Sequence, residues 1–226
     1  MKKVLFVCTG NTCRSPLAEA VFNNLKPDGS YESRSAGMMA MNGMPMSEGS
    51  RTALTKRGLK EEHLSQGLTR DLLDWADLVL TMTENHKRTV IQQFPEEAGN
   101  IYTLKEFIYD DPATKQLIEK MDHHIAQLEL KRAEFIKKHE DKIKKYNEDQ
   151  DIKHQQQLEE ELLAQLKPEQ EAIEYAASKL PSFNISDPFG AADDVYEITY
   201  KEIEEAVKAL IEKMKKHNGE QTEEEF

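Results

Sequence analysis

The chain has 226 residues, 42 of them Asp or Glu and 30 Lys or Arg, for a formal net charge of −12. That balance argues against general nucleic-acid binding, which needs a basic face, and no apolar run approaches the roughly 20 residues of a membrane span. With only two cysteines, Cys8 and Cys13, a disulfide framework and a cysteine-rich zinc site are both excluded. Lys2-Lys3 followed by Val4–Val7 has the outline of a signal peptide, but the run is too short for one, and a cytoplasmic protein is expected.

Residues 2–7 read as a buried strand and 16–25 as a helix with Leu17, Val21 and Leu25 on one face. After the turn signal Pro27-Asp28-Gly29, Tyr31–Ala36 reads as a second strand ended by Gly37. A Met- and Gly-rich loop is expected over 38–46, a helix over 47–57 stopped by Gly58, and a short helix over 69–76. Residues 77–82 make a third buried strand, 84–94 a helix closed by Pro95, and 101–103 a fourth strand leading into a helix at Leu104. Strands alternating with helices imply an α/β fold with a doubly wound, four-stranded parallel sheet flanked by helices. In such a sheet ligands bind at the carboxyl ends of the strands.

The first strand ends in Cys8-Thr9-Gly10-Asn11-Thr12-Cys13-Arg14-Ser15, ahead of Pro16. Pro16 suits the first helical position, with Ser15 just outside as a candidate cap. Loop amides and the positive end of the helix then converge on one point, the arrangement by which backbone binds phosphate. A thiol at that point is favoured as thiolate, the attacking form. Arg14 adds a planar fork that grips two phosphate oxygens. These residues point to a cysteine-dependent phosphatase needing no metal and no other cofactor. Cys13 reads either as a small packed residue or as a partner for Cys8 in a reversible disulfide.

The pattern changes after Asp110-Asp111-Pro112. Residues 113–180 contain no glycine and many Glu, Lys and Gln. Ile118, Met121, Ile125, Leu128 and Phe135 recur at helical spacing, as do Leu158, Leu162, Leu166, Ile173 and Ala177, with the break expected at Tyr146–Asp149. This reads as an inserted long α-helical hairpin over 111–180, coiled-coil-like, dividing a phosphatase domain into 1–110 and 181–218. His123, His124, His139 and His154 lack convincing metal spacing. The stripe suits docking on the main domain, self-association or another protein partner, and the sequence leaves these open. A last helix over 193–217 presents Ile198, Ile203, Val207, Leu210 and Met214 on its apolar face, followed by an acidic, disordered tail over 219–226.

Cys8–Ser15 resembles the signature of the low-molecular-weight protein tyrosine phosphatases, a cysteine and an Arg-Ser pair separated by five residues. Ser15-Pro16, Asn11, Ser35-Ala36-Gly37, the strand at Ala76–Val79, Thr103–Phe107 and Asp187-Pro188 are also similar to that family. The resemblance covers 1–109 and 182–217. It implies that Cys8 forms a phosphocysteine, that Arg14 binds the phosphoryl oxygens, and that Ser15 bonds the Cys8 sulfur. Asn11 is implied to hold the loop, Asp187 to act as general acid and then base, and Thr9, Gly10, Thr12, Cys13 and Phe189 to contact the substrate. Thr12, where tyrosine-specific members commonly carry an aliphatic residue, resembles the protein-arginine-phosphatase branch. Phe189 stands alone where many tyrosine-specific members have two aromatics. The implied substrates are phosphorylated proteins, with phosphoarginine ahead of phosphotyrosine. An arsenate reductase on this fold needs further cysteines, and none follows Cys13. A scaffold acting through the hairpin is the reading of another class, and the complete catalytic set argues against it.

Overall fold

The computed structural model describes residues 2–27, 29, 31–59, 62–149 and 152–223. Among them the strands are β1 (Lys2–Cys8), β2 (Tyr31–Gly37), β3 (Leu78–Thr81) and β4 (Ile101–Thr103). The α-helices are α1 (Arg14–Leu25), α2 (Glu48–Thr55), α3 (Arg70–Trp75), α4 (Glu84–Gln93), α5 (Leu104–Ile108), α6 (Pro112–Lys138), α7 (Glu140–Asp149), α8 (Ile152–Lys179) and α9 (Asp193–Glu223). They fall into two compact units: one formed by the chain up to Tyr109 and again from Phe183, the other by Asp110–Ser182.

In the first unit the four strands form one parallel sheet in the order β2-β1-β3-β4. Val4 to Val7 are fully buried on both faces, which is why β1 reads as an unbroken apolar run. Alternation sends Val4, Phe6 and Cys8 into a core with Leu17, Val21 and Phe22 of α1 and Ile203, Val207 and Leu210 of α9. Leu5 and Val7 join the opposite core, with Leu73 of α3, Val79 of β3 and Val90 of α4. The chain leaves β1 for β2 on one side and returns to β3 on the other. The carboxyl end of β1 therefore lies where the strand order reverses, the place at which sheets of this kind bind ligands.

Three local expectations change. Helix α1 begins at Arg14 and Cys13 precedes it without a side-chain cap, so Ser15 is not the cap and Pro16 is the third helical residue. The Ser15 hydroxyl is instead committed to the loop it follows. Ile198 is exposed, because the inward face of α9 starts with Tyr196, Thr199 and Tyr200, two positions out of register with it. Helix α9 also runs on to Glu223, with no proline between His217 and Glu223 to stop it. The rest of the expected tail, 224–226, lies outside the described residues.

The second unit is helical. Asp111 caps α6 by accepting the Thr114 N–H at 2.8 Å. Helices α6 and α8 pack side by side. At 10 residues α7 spans about 15 Å, too short to return the chain to the start of the 27-residue α6, so α6 and α8 run antiparallel. The first break falls at His139 rather than within 146–149, which is helical. No glycine or proline marks it; the His139 ring instead stacks on Phe135 at 4.4 Å and is buried there. The inward stripe otherwise follows the expected spacing, except that Ala176 is buried where Ala177 was expected. His124 and Lys131 both pair with Glu169, at 2.6 and 2.8 Å. The side chain of His154 lies outside the described residues.

Candidate active site

Strand β1 delivers Cys8 to the loop, where its sulfur lies 3.0 Å from Ser15 Oγ. Asn11 organises the turn. It adopts the left-handed conformation with φ 54°, which a short polar side chain tolerates better than most. Its side-chain amide donates to Ser15 Oγ at 2.9 Å and to Ser35 Oγ at 2.8 Å, and its Oδ1 accepts the Gln66 N–H at 2.9 Å. Because Ser15 Oγ accepts from Asn11, the hydroxyl proton is left to donate, either to the Cys8 sulfur or to the Ala36 carbonyl at 3.3 Å. Ser35 in turn donates to Glu19 at 2.6 Å; burial holds the Glu19 carboxyl above its ordinary range. His63 Nε2 lies 2.7 Å from the Asn11 carbonyl.

Gly37 lets β2 approach this loop. A Cβ there would sit 2.7 Å from the Thr9 carbonyl and 2.8 Å from the Asn11 N–H, so only glycine fits without a shift. Beyond it, the Met38 and Met39 amides donate to the Cys8 and Thr9 carbonyls, and the Ser47 amide to that of Thr12.

Arg14 is buried and donates to Asp187 Oδ2 at 2.8 Å and to the Ile185 carbonyl at 3.4 Å. Its Nε is buried without a partner among the described residues, a donor available to an anion above the loop. The half-exposed Asp187 thus joins the loop from 173 residues away in the chain. The segment bearing it is well anchored. The Ile185 N–H donates to the Met82 carbonyl at 2.8 Å, and Asn184 Oδ1 accepts the Glu84 N–H at 2.8 Å. Lys105 donates to the Asn184 carbonyl at 2.9 Å and pairs with Glu202, whose other oxygen accepts the Ser186 N–H at 3.0 Å. Phe189 follows as an exposed side chain.

Thr12 is half-buried, its hydroxyl 3.7 Å from the Cys13 sulfur. Cys13 is buried, with Tyr196 Oη at 3.9 Å, and both cysteines are free thiols. Thr9 Oγ1 lies 2.9 Å from Nε2 of His86. Burial, and then the nearby Arg14 charge, lower the His86 pKa to about 4, so the ring is neutral near pH 7. His86, His63, Gln66, Lys105 and Glu202 are the site residues that sequence reasoning missed. His86, His63 and Gln66 reach the cysteine loop, and Lys105 and Glu202 the Asn184–Ser186 segment, from distant parts of the chain; Lys105 lies in the Thr103–Phe107 stretch noted above, but nothing local marks it as an anchor.

The family model for low molecular weight phosphotyrosine protein phosphatase matches residues 3–150. The chain is 42% identical over 106 residues to the protein-arginine-phosphatase of Geobacillus stearothermophilus, covering 47% of this chain and 71% of that enzyme. It is 41% identical over 108 residues to the low molecular weight protein-tyrosine-phosphatase PtpB of Staphylococcus epidermidis, covering 48% of this chain and 75% of that one. Among solved structures, the YwlE arginine phosphatase from G. stearothermophilus superposes with a TM-score of 0.64 at 26% identity, over 97% of each chain. The matches agree with the four-stranded parallel sheet and the cysteine loop described above, and the chain belongs to the low molecular weight phosphotyrosine protein phosphatase family, as a cysteine-dependent phosphatase.

Proposed function

We propose that this phosphatase acts on phosphoarginine in proteins, with Cys8, Arg14 and Asp187 as its catalytic residues. The observation that carries the assignment of roles is the meeting of Cys8, Ser15, Arg14 and Asp187 at one loop, within 3.0 Å for each contacting pair. The Cys8 thiolate attacks phosphorus, forming an S–P bond as the bond to the leaving nitrogen breaks. Asp187 gives its proton to that nitrogen. Water then attacks phosphorus, Asp187 takes its proton, and the S–P bond breaks to release phosphate and the thiolate, which the Ser15 hydroxyl receives. Arg14 holds the equatorial oxygens through both steps, with its free Nε and the loop amides completing the cradle. Before substrate arrives Arg14 is paired with Asp187. A phosphoryl group takes over that guanidinium and releases the carboxyl toward the leaving group.

Phosphoarginine is supported by Thr12, whose hydroxyl a guanidinium can meet where an aliphatic side chain offers nothing polar. It is supported also by Phe189, a lone aromatic beside Asp187 where a pair would clamp a phenyl ring. Free thiols at Cys8 and Cys13 suit a reducing compartment, so we place the enzyme in the cytoplasm. The test is kcat/KM on matched phosphoarginine and phosphotyrosine peptides for wild type and Thr12→Ile. The ratio should move about tenfold toward phosphotyrosine, a difference expected of one polar contact; an unmoved ratio removes Thr12 as the selector.

A further inference from the structure

From the Asn184 carbonyl to the Ser186 carbonyl, the backbone polar groups leading up to Asp187 all have partners. The Asn184 carbonyl accepts from Lys105 Nζ at 2.9 Å, and across the same peptide bond the Ile185 N–H donates to the Met82 carbonyl at 2.8 Å. At the next peptide bond the Ile185 carbonyl accepts from Arg14 Nη1 at 3.4 Å, and the Ser186 N–H donates to Glu202 Oε2 at 3.0 Å. Thr199 Oγ1 lies 3.5 Å from the Ser186 carbonyl. Lys105 and Glu202 also pair with each other, which closes a ring of contacts around the buried Ile185. The pinning ends at Asp187, whose side chain is 55% exposed, and Phe189 beyond it is 78% exposed.

The Lys105 and Glu202 side chains are only 28% and 20% exposed, and a pair so placed is screened less than one in open water. Each spends a second, charge-assisted bond on the backbone ahead of the acid. Among the described residues neither bonds to Cys8, Arg14 or Asp187, so neither has a direct part in the chemistry. Asp187 is held at Oδ2 by Arg14 and at Oδ1 by the Phe189 N–H, 3.2 Å away. When a phosphoryl group takes Arg14, Oδ2 loses its partner, and rotation about the side-chain bonds of Asp187 redirects it. That rotation meets the leaving atom only if the backbone it starts from is fixed, because proton transfer demands hydrogen-bond reach. We infer that Lys105 and Glu202 are positioning residues for the acid, holding the peptide bonds on either side of Ile185 so that Asp187 passes from Arg14 to the leaving group by turning its own side chain. The inference rests on Asp187 as the general acid and adds the two residues that aim it.

The experiment uses the full chain with phenyl phosphate and p-nitrophenyl phosphate, compared in kcat/KM, which reports the steps up to cleavage of the phosphorus–oxygen bond. Phenolate is a strong base and needs a proton as it departs, whereas p-nitrophenolate leaves largely without one. Lys105→Met and Glu202→Gln should each lower kcat/KM about thirtyfold on phenyl phosphate and less than about threefold on p-nitrophenyl phosphate. Adding Lys105→Met to Asp187→Asn should cost no more than about a further twofold on phenyl phosphate, since the acid it aims is already gone. If Lys105→Met fails to fold, Glu202→Gln carries both measurements, because its amide oxygen still accepts the Ser186 N–H and only the charge is lost. Equal losses on the two substrates mark a merely structural pair and overturn the inference. So does no loss on either, or a full thirtyfold loss on top of Asp187→Asn. Asp187→Asn alone losing equally on both substrates is a different result, and overturns Asp187 as the acid.

Discussion

In the catalytic unit, Asn11, Ser15, Ser35, Thr81 and His86 are buried polar side chains, and Asn11, Ser15 and Ser35 are bonded to one another around the cysteine loop. In the hairpin unit the pairs Arg132–Glu129, Lys144–Glu140 and Lys167–Glu171 lie on the helix surfaces, and the buried positions are sparse: Phe135, His139, Leu166 and Ala176 among the described residues. Both regions draw on one chain rich in charge. The difference is what the polar groups are used for. Surface pairs on a helix contribute a few tenths of a kcal/mol each and tolerate exchange. Buried hydrogen bonds hold a geometry, and losing one partner strands the other without water.

This contrast predicts where a substitution shows itself. The largest effect belongs to Asp187→Asn, which should lower kcat about a thousandfold on substrates with poor leaving groups. Inorganic phosphate should inhibit that variant more strongly than wild type, because the carboxylate no longer competes for Arg14. Unchanged kcat in stopped-flow assays would remove Asp187 as the acid. In the hairpin, Phe135→Ala should cost about 3 kcal/mol of local stability, read as faster hydrogen exchange along α6, since a buried ring and its stack on His139 are lost. Its turnover of p-nitrophenyl phosphate should match wild type; a parallel loss of activity would show that the two units are not energetically separate. The smallest effect concerns His86. Its pKa is lowered from 6.5 to about 4, so the unfolded chain binds a proton that the folded one refuses. The stability linked to this is full above pH 6.5 and is lost as pH falls toward 4, by at most about 1.4 kcal/mol per pH unit. In urea titrations at pH 7 and 5, His86→Gln should lose less stability on acidification than wild type. An identical loss would place the acid sensitivity elsewhere.

Tyr109 and Phe183 flank the hairpin, and their rings meet at 5.7 Å. A segment of more than seventy residues thus leaves and re-enters the catalytic unit at one spot. That explains how Asp187 reaches Arg14 across the hairpin: the anchors on Asn184, Ile185 and Ser186 come from Met82, just past β3, and from α4, α5 and α9, and owe nothing to hairpin length. The strands were legible because a parallel strand covered on both faces leaves an apolar run, as Val4–Val7 does. The loop was legible because its parts are contiguous. Ser15 was misread as a cap, since a serine before a proline looks the same whether its hydroxyl meets a helix N–H or a sulfur. Ile198 was misread because periodicity counts apolar residues and overlooked Tyr196 and Tyr200 as the inward ones.

The amino-acid sequence alone determined the sheet, the placing of Cys8 at the end of its first strand, and the separation of a helical insertion from the rest. Those depend on local pattern: apolar runs, helical spacing, and a loop whose residues are neighbours in the chain. Only the tertiary structure decided what surrounds the thiol. His86, His63, Gln66, Lys105 and Glu202 come from four segments that meet only when the sheet and its helices pack, and hydrogen bonds between such segments leave no periodic trace. The same is true of the methionine-rich segment after β2, whose backbone is fixed beside the cysteine loop by pairing between residues 43–45 and 64–65.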